Sequence, residues 1–437
     1  MTNLEVIILS PELEQIGLVN KMTALRWTER FHGFGDFELW LPLTEENAGL
    51  MREDNLVWIG TSTLGVIETI QKAKDNDGSL SLQVSGRFNE CWLERRVVWS
   101  RYSETGYVSN HMRNLVYDNA VNPSLSGRRI PHMVLSETQG VQGPSVSYTA
   151  HRDNLWTSLD DLGKVHNVSP RLVNDVPAQT VTFVVQGRTD RTIEQTAVPT
   201  VVLSSELSDI LSSDYSSDST GFRNTAIVAG AGEGAARKEY TVNPGNTGLN
   251  RREMSVDARD ISDTEPWNRK TTTVVSIDRT YYDDNGNVDY YKVRTVVTKV
   301  LTHPVTGETR TTTSTSIELS DIEPVTGTTV EEDEEEVLFP TDVYNSMLNE
   351  RGLSYLSENL RVEAFNSQVR MTGARAYTYG EDYFLGDRIT VQDLDLLIQI
   401  STDITEVEQT WDEESYSVVL TLGDSAPTIK QLIRKRR

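Results

Sequence analysis

GVIETIQKAK, DNDG and SLSLQVSG run without a break from Gly65 to Gly86, and this stretch decides the fold. Two runs rich in β-branched and aliphatic residues flank Asp75-Asn76-Asp77-Gly78. Asn and Gly tolerate positive φ, so the natural reading is a β-hairpin. Further strands lie upstream: VIIL (Val6–Leu9), the alternating FELWLP (Phe37–Pro42) and LVWIG (Leu56–Gly60). Short strands at this spacing predict a small barrel-like β domain over residues 1–100.

Downstream the period changes. Val108, Met112, Leu115 and Val116 stand at i, i+4, i+7 and i+8, one face of a helix that Asn122-Pro123 ends. A second helix is expected from Asp153 to Leu162, with Asp153 as N-cap and Gly163 just past its end. The strands RLVND (Arg171–Asp175) and TVTFVVQG (Thr180–Gly187) follow, so residues 101–190 read as an α+β unit. Residues 191–262 read as a further β segment, interrupted by the polar loop SSDYSSDSTG (Ser212–Gly221).

Thr, Val and Tyr dominate from Thr271 to Glu318. Asn285-Gly286 separates TTTVVSIDRTYYDD from NVDYYKVRTVVTKVL, and Pro304-Val305-Thr306-Gly307 turns into TRTTTSTSIEL. This predicts a three-stranded meander, an arm inserted over residues 263–340. EEDEEE (Glu331–Glu336) closes it as an acidic linker, because adjacent like charges repel and stay solvated. A helix from Asp342 to Asn359, weakened in its middle by Gly352, and four later strands predict a second barrel-like domain over residues 341–437. The fold class is therefore α+β and β-rich.

Composition narrows the function. The chain has 437 residues, with 41 Lys and Arg against 65 Asp and Glu, a net charge of −24 that disfavours phosphate binding. Its one cysteine, Cys91, excludes an internal disulfide and a cysteine metal cage. No basic stretch followed by an apolar one opens the sequence, and no apolar run reaches a membrane-spanning length, so a soluble protein made in a cytoplasm is expected.

Catalytic motifs fail on context. Gly230-Ala231-Gly232-Glu233-Gly234-Ala235 satisfies a dinucleotide fingerprint, but the following residues leave no room for the helix that would bind a pyrophosphate. Gly423-Asp424-Ser425 resembles a serine-hydrolase motif, yet no histidine follows His303 to serve as its base. The six histidines show no metal-binding spacing, and Asp283, Asn285, Asn287 and Asp289 place Gly286 fourth rather than sixth, unlike a calcium loop. No catalytic residue, cofactor or metal is expected. The candidate partner contact is the basic tail, with Lys430, Arg434, Lys435, Arg436 and Arg437, on an otherwise acidic chain.

Seven blocks in order carry a family resemblance: RFHGFGDFELWLP (Arg30–Pro42), SGRFNECWLERRVVW (Ser85–Trp99), AVNPSLSGRRIPHMVL (Ala120–Leu135), NTAIVAGAGEGAARKEY (Asn224–Tyr240), REMSVDARDIS (Arg252–Ser262), YGEDYFLGDRITVQD (Tyr379–Asp393) and ITEVEQTWDEESYSVVLTLGD (Ile404–Asp424). The chain resembles the tail-tip (baseplate) hub proteins of long-tailed phages and prophages, and is similar to the N-terminal hub of tail-associated lysins. The resemblance implies a homotrimeric ring, with two barrel-like domains per chain forming six similar units around a channel. Such a ring would join the six-fold distal tail protein to a three-fold tip and let DNA pass without specific binding. Its expected partners are itself, the distal tail protein and other tail-tip or tape-measure proteins, and its expected location is the virion tail tip.

Many hubs carry a long C-terminal enzymatic or receptor-binding extension. Only thirteen residues follow Asp424, so no such module is expected. The arm departs from the family pattern, and residues 271–318 are expected to touch a neighbouring tail protein or the host surface. The alternatives are a tail-associated cell-wall hydrolase and a host-receptor-binding protein.

Overall fold

Thr69–Lys74 and Leu80–Arg87 pair antiparallel, Ile70 opposite Val84, as the Gly65–Gly86 stretch predicts. The computed structural model describes residues 4–19, 21–74, 78–138, 140–206, 210–304, 306–369, 377–412 and 415–424. Strand accounts for 49% of it and helix for 15%, which makes the chain β-rich. It divides into two compact units: Met1–Ala229 with Glu239–Asp257 and Ser346–Arg437, and Gly230–Lys238 with Ala258–Asn345.

One long antiparallel sheet organises the first unit. Its strands lie in the order Ile210–Asp218, Val362–Val369, Tyr416–Asp424, Ile398–Asp412, Ala24–Arg30, Asp36–Pro42, Leu80–Arg87 and Thr69–Lys74. The central ladder joins sequence-distant halves: Trp411 lies opposite Leu25, and Glu406 opposite Arg30. Arg388–Asp393 and Val202–Ser204 extend the sheet off Ile398–Asp412.

Alternation sends one face of this sheet inward. Leu25, Trp27, Phe37, Leu39, Leu82, Val84 and Trp411 belong to one core. On the same face Val407, Leu420 and Phe365 enter a second core with Tyr383, Ile389 and Val391. A third core is α+β: Val108, Met112, Leu115 and Val116 from the helix Val108–Val116 pack with Leu155, Leu159, Leu172, Val181 and Phe183.

The second predicted helix runs from Leu155 to His166, later than its sequence signals. Asn154 caps it by accepting from Thr157 N–H at 3.2 Å, and Asn167 closes it at φ 55°. Gly163 lies inside the helix for packing: a Cβ there would come 2.6 Å from Val168 O. The serine-rich Ser212–Gly221 stretch, expected to be a loop, instead contributes to the edge strand Ile210–Asp218. An edge strand whose outer side meets water needs no apolar alternation, which is why its sequence gives no strand signal.

In the second unit the arm has four strands rather than three. Thr264–Tyr282, Val288–Thr302, Thr309–Ser320 and Gly327–Leu338 form an antiparallel sheet with the last strand beside the first. Glu331–Glu336 therefore lies in a ladder, not in an unpaired linker. Cations opposite offset its repulsion: Lys270 meets Glu332 at 2.8 Å, Lys299 pairs with Glu335, and Arg269 pairs with Asp333 and with Glu335. The hairpin at Asn285-Gly286 forms as predicted, with Gly286 at φ 81° and Asp283 accepting from Asn285 and Asn287 N–H. Near the start of the arm, Tyr344 accepts from Ala231 N–H at 2.8 Å and donates to Ile261 O at 3.1 Å.

Candidate partner-binding surfaces

The face of the long sheet opposite its cores carries polar side chains on all eight strands, with Trp40 and Val419 among them. Register places Arg26, Thr28 and Arg30 on it, with Asp36 and Glu38 on one side and Glu406 and Glu408 on the other. Gln71 and Gln83 continue it towards one edge; Thr421, Asn366, Asp214 and Ser216 continue it towards the other.

Charges on this face cross-link its strands. Arg30 meets Asp36 and Glu406 at 2.5 Å each, and Arg26 meets Glu38 at 2.7 Å. Burial opposes the Arg30 charge, but Glu406 and Asp36 outweigh it and the guanidinium pKa is raised. Arg87 bridges Glu68 and Glu94, and its hydrogen bonds to Glu68 raise its pKa. Burial and Glu406 push the Glu408 carboxyl up, partly countered by Arg26.

Both ends of the eight-strand order are open edges whose outer backbone groups are left for water or another strand. Thr69–Lys74 carries exposed Lys72 and Lys74, whereas Ile210–Asp218 carries exposed Asp214 and Asp218. The two edges thus differ in charge sign.

Several buried titratable groups elsewhere in this unit have structural partners. Glu90, pushed up by burial, lies 3.7 Å from Arg171 and accepts from Leu172 N–H. Tyr379 donates to Glu29, and His166 meets Glu350 at 2.7 Å. Cys91 is buried and its thiol is pushed up to about 12, mainly by burial, far from a reactive thiolate.

Gly230–Ala235 is a turn between the antiparallel strands Thr225–Ala229 and Glu239–Val242, with only a 3-10 turn at Gly234–Ala236. Gly423 lies one residue before the end of the last described strand, Tyr416–Asp424, where a Cβ would come 2.2 Å from Glu363 O, while Ser425 lies outside the described residues. Lys430, Arg434, Lys435, Arg436 and Arg437 also lie outside them. The polar face was missed in sequence because its carriers are spread from Arg26 to Thr421. Alternation in ALRWTER and ITEVEQTW marks each strand, but nothing local says that they are neighbours.

The family model described as Siphovirus ReqiPepy6 Gp37-like protein matches residues 5–424. The chain belongs to this family of siphovirus tail proteins. The 43 kDa tail protein of prophage MuSo2 from Shewanella oneidensis is similar in fold, at 10% identity and a TM-score of 0.50 over 96% of this chain and 98% of that one. A tail protein from Neisseria meningitidis MC58 has 12% identity and a TM-score of 0.48 over 96% of each chain. Prophage tail protein gp18 from Listeria monocytogenes EGD-e has 8% identity and a TM-score of 0.48 over 98% of each. No curated protein matches the sequence. Membership makes this chain a phage tail protein and places it in the virion.

Proposed function

We propose that this tail protein is a non-catalytic tail-tip hub, three copies of which close a ring around a DNA conduit. The observation that carries the reading is the eight-strand order with one core-packed face, one polar face and two open edges of opposite charge. Pairing the Thr69–Lys74 edge of one copy with the Ile210–Asp218 edge of the next is a heterologous contact, and such contacts form rings when the rotation closes. The polar face would then line the lumen. Arg26, Arg30 and Arg87 are neutralised there by Glu38, Asp36, Glu406 and Glu68, leaving a polar, acidic wall that DNA can slide past.

In this reading residues 1–100 and 341–437 are the two barrel-like hub domains, 101–190 the α+β domain, 191–262 the completing β segment and 263–340 the arm. The ring joins the distal tail protein to the tip, residues 271–318 reach a neighbouring tail protein or the host surface, and the basic tail from Lys430 to Arg437 docks on an acidic neighbour. A direct test places cysteines by Lys72→Cys and Asp214→Cys in one chain and oxidises the purified protein. Covalent dimers and trimers are expected; crosslinking no greater than in the single variants would overturn the edge contact. Phages lacking the arm that still assemble and adsorb normally would remove its contact role.

A further inference from the structure

On a chain of net charge −24, one surface of the first unit gathers arginines without carboxylate partners. Arg96, Arg128 and Arg152 form no ion pair among the described residues, whereas neighbouring Arg95 meets Asp54 at 2.6 Å. Trp99, 40% exposed, has two of them over its ring. The Arg152 guanidinium lies 4.4 Å from the Trp99 ring centroid and that of Arg128 5.3 Å from it.

The arrangement is fixed from beneath. Buried Asn119 accepts from Trp99 N–H at 2.9 Å and from Arg128, and donates to Leu115 O. Arg96 donates to Arg128 O at 2.6 Å, and Arg128 to Val97 O at 2.5 Å. Arg152 holds φ 64°, a left-handed conformation costly for a residue with a Cβ, and is pinned by its N–H to Val98 O at 2.9 Å. Burial, then the neighbouring guanidinium charges, lower the pKa of both Arg96 and Arg128.

We propose that this surface is a docking site for an acidic polypeptide segment of another tail component. Stacking on Trp99 leaves the Arg152 guanidinium edge free to grip a carboxylate through paired hydrogen bonds. Exposed Val97, Tyr117 and Leu125 add apolar area in the same chain segments, and Trp and Arg beside apolar neighbours is the composition of a protein hot spot. A long phosphodiester partner would bring its remaining charges against the acidic bulk of the chain, while a short acidic segment confines its charge to the arginines. The site does not depend on the hub reading.

The test uses the full chain and fluorescence anisotropy at low salt, about 50 mM. The probes are a labelled peptide of alternating glutamate and leucine, and single- and double-stranded DNA oligonucleotides. The peptide is expected to bind, and R152E to weaken it by about tenfold or more. W99A should weaken it as well, with the net charge unchanged, and R152K should weaken it because an ammonium lacks the planar fork. Thermal melts confirm folding, and R152K and W99A serve if R152E does not fold. No peptide binding, DNA binding as tight as the peptide, or a change of oligomeric state in R152E would each overturn the proposal, the last by making this face a contact between copies.

Discussion

Arg30 Nε donates to Glu406 at 2.5 Å, a bond between residues 376 positions apart, across the ladder that joins the two halves of the long sheet. The same guanidinium donates to Asp36 and to Phe34 O, so one side chain ties three strands or loops. Arg30→Met leaves two carboxylates facing each other and is expected to cost about 2 kcal/mol, less than a fully buried pair because all three groups are partly exposed. Glu406→Gln, which retains an acceptor, should cost under about 1 kcal/mol. Urea unfolding of the three proteins checks the order; equal stability would remove the ion network from the account.

Two helical glycines should respond in opposite directions. Gly49, in the helix Glu45–Leu50, has nothing within 4 Å of a built Cβ, whereas Gly352 would place one 2.5 Å from Val242 and 2.8 Å from Val228. Gly49→Ala should stabilise by about 0.5–1 kcal/mol through helix propensity. Gly352→Ala should lose about 1 kcal/mol or more, overpacking outweighing the same gain. Melting temperatures decide it, and a rise in both would refute the close approach.

Acid response should separate into two opposing parts. Burial lowers His32 from 6.5 to about 4, so its contribution is present above pH 6.5 and lost as pH falls towards 4, up to about 3 kcal/mol. Burial raises Asp161 from 3.8 to about 6, so its contribution is present below pH 4 and lost as pH rises through 6. Over pH 4–6 the two oppose each other. His32→Gln should make the protein relatively more stable at pH 5 than at pH 7, compared with the unchanged chain, and Asp161→Asn the reverse. Melts at both pH values test the signs.

Much of the fold is legible in the sequence because alternation and turn chemistry are local. The Gly65–Gly86 hairpin, the Val108–Val116 helix face and the Asn285-Gly286 turn each follow from adjacent residues. Three features were not legible. Ile210–Asp218 is an edge strand with polar residues on both faces, Glu331–Glu336 is held by cations more than thirty positions away, and the Trp99 surface draws on three segments of chain. Partners distant in sequence decide all three.

The arm has few buried apolar side chains, Trp267 and Val293 among the described residues, and forms its compact unit with only short neighbouring segments. Replacing residues 264–338 by a short Gly-Ser linker should therefore leave the main unfolding transition within about 1 kcal/mol. Phe339 N–H bonds to Asp263 O at 2.9 Å, so the cut ends already lie together. Loss of soluble protein would contradict the arm's independence.

The central claim concerns the open edges, and its sharpest test is the solution mass of the full chain by light scattering at micromolar concentration. A closed ring predicts a particle of three times the 49.1 kDa chain, reduced towards the monomer when Lys72 and Lys74 are reversed to glutamate against the acidic Asp214 edge. A stable 49.1 kDa monomer, or a trimer indifferent to that reversal, would contradict it.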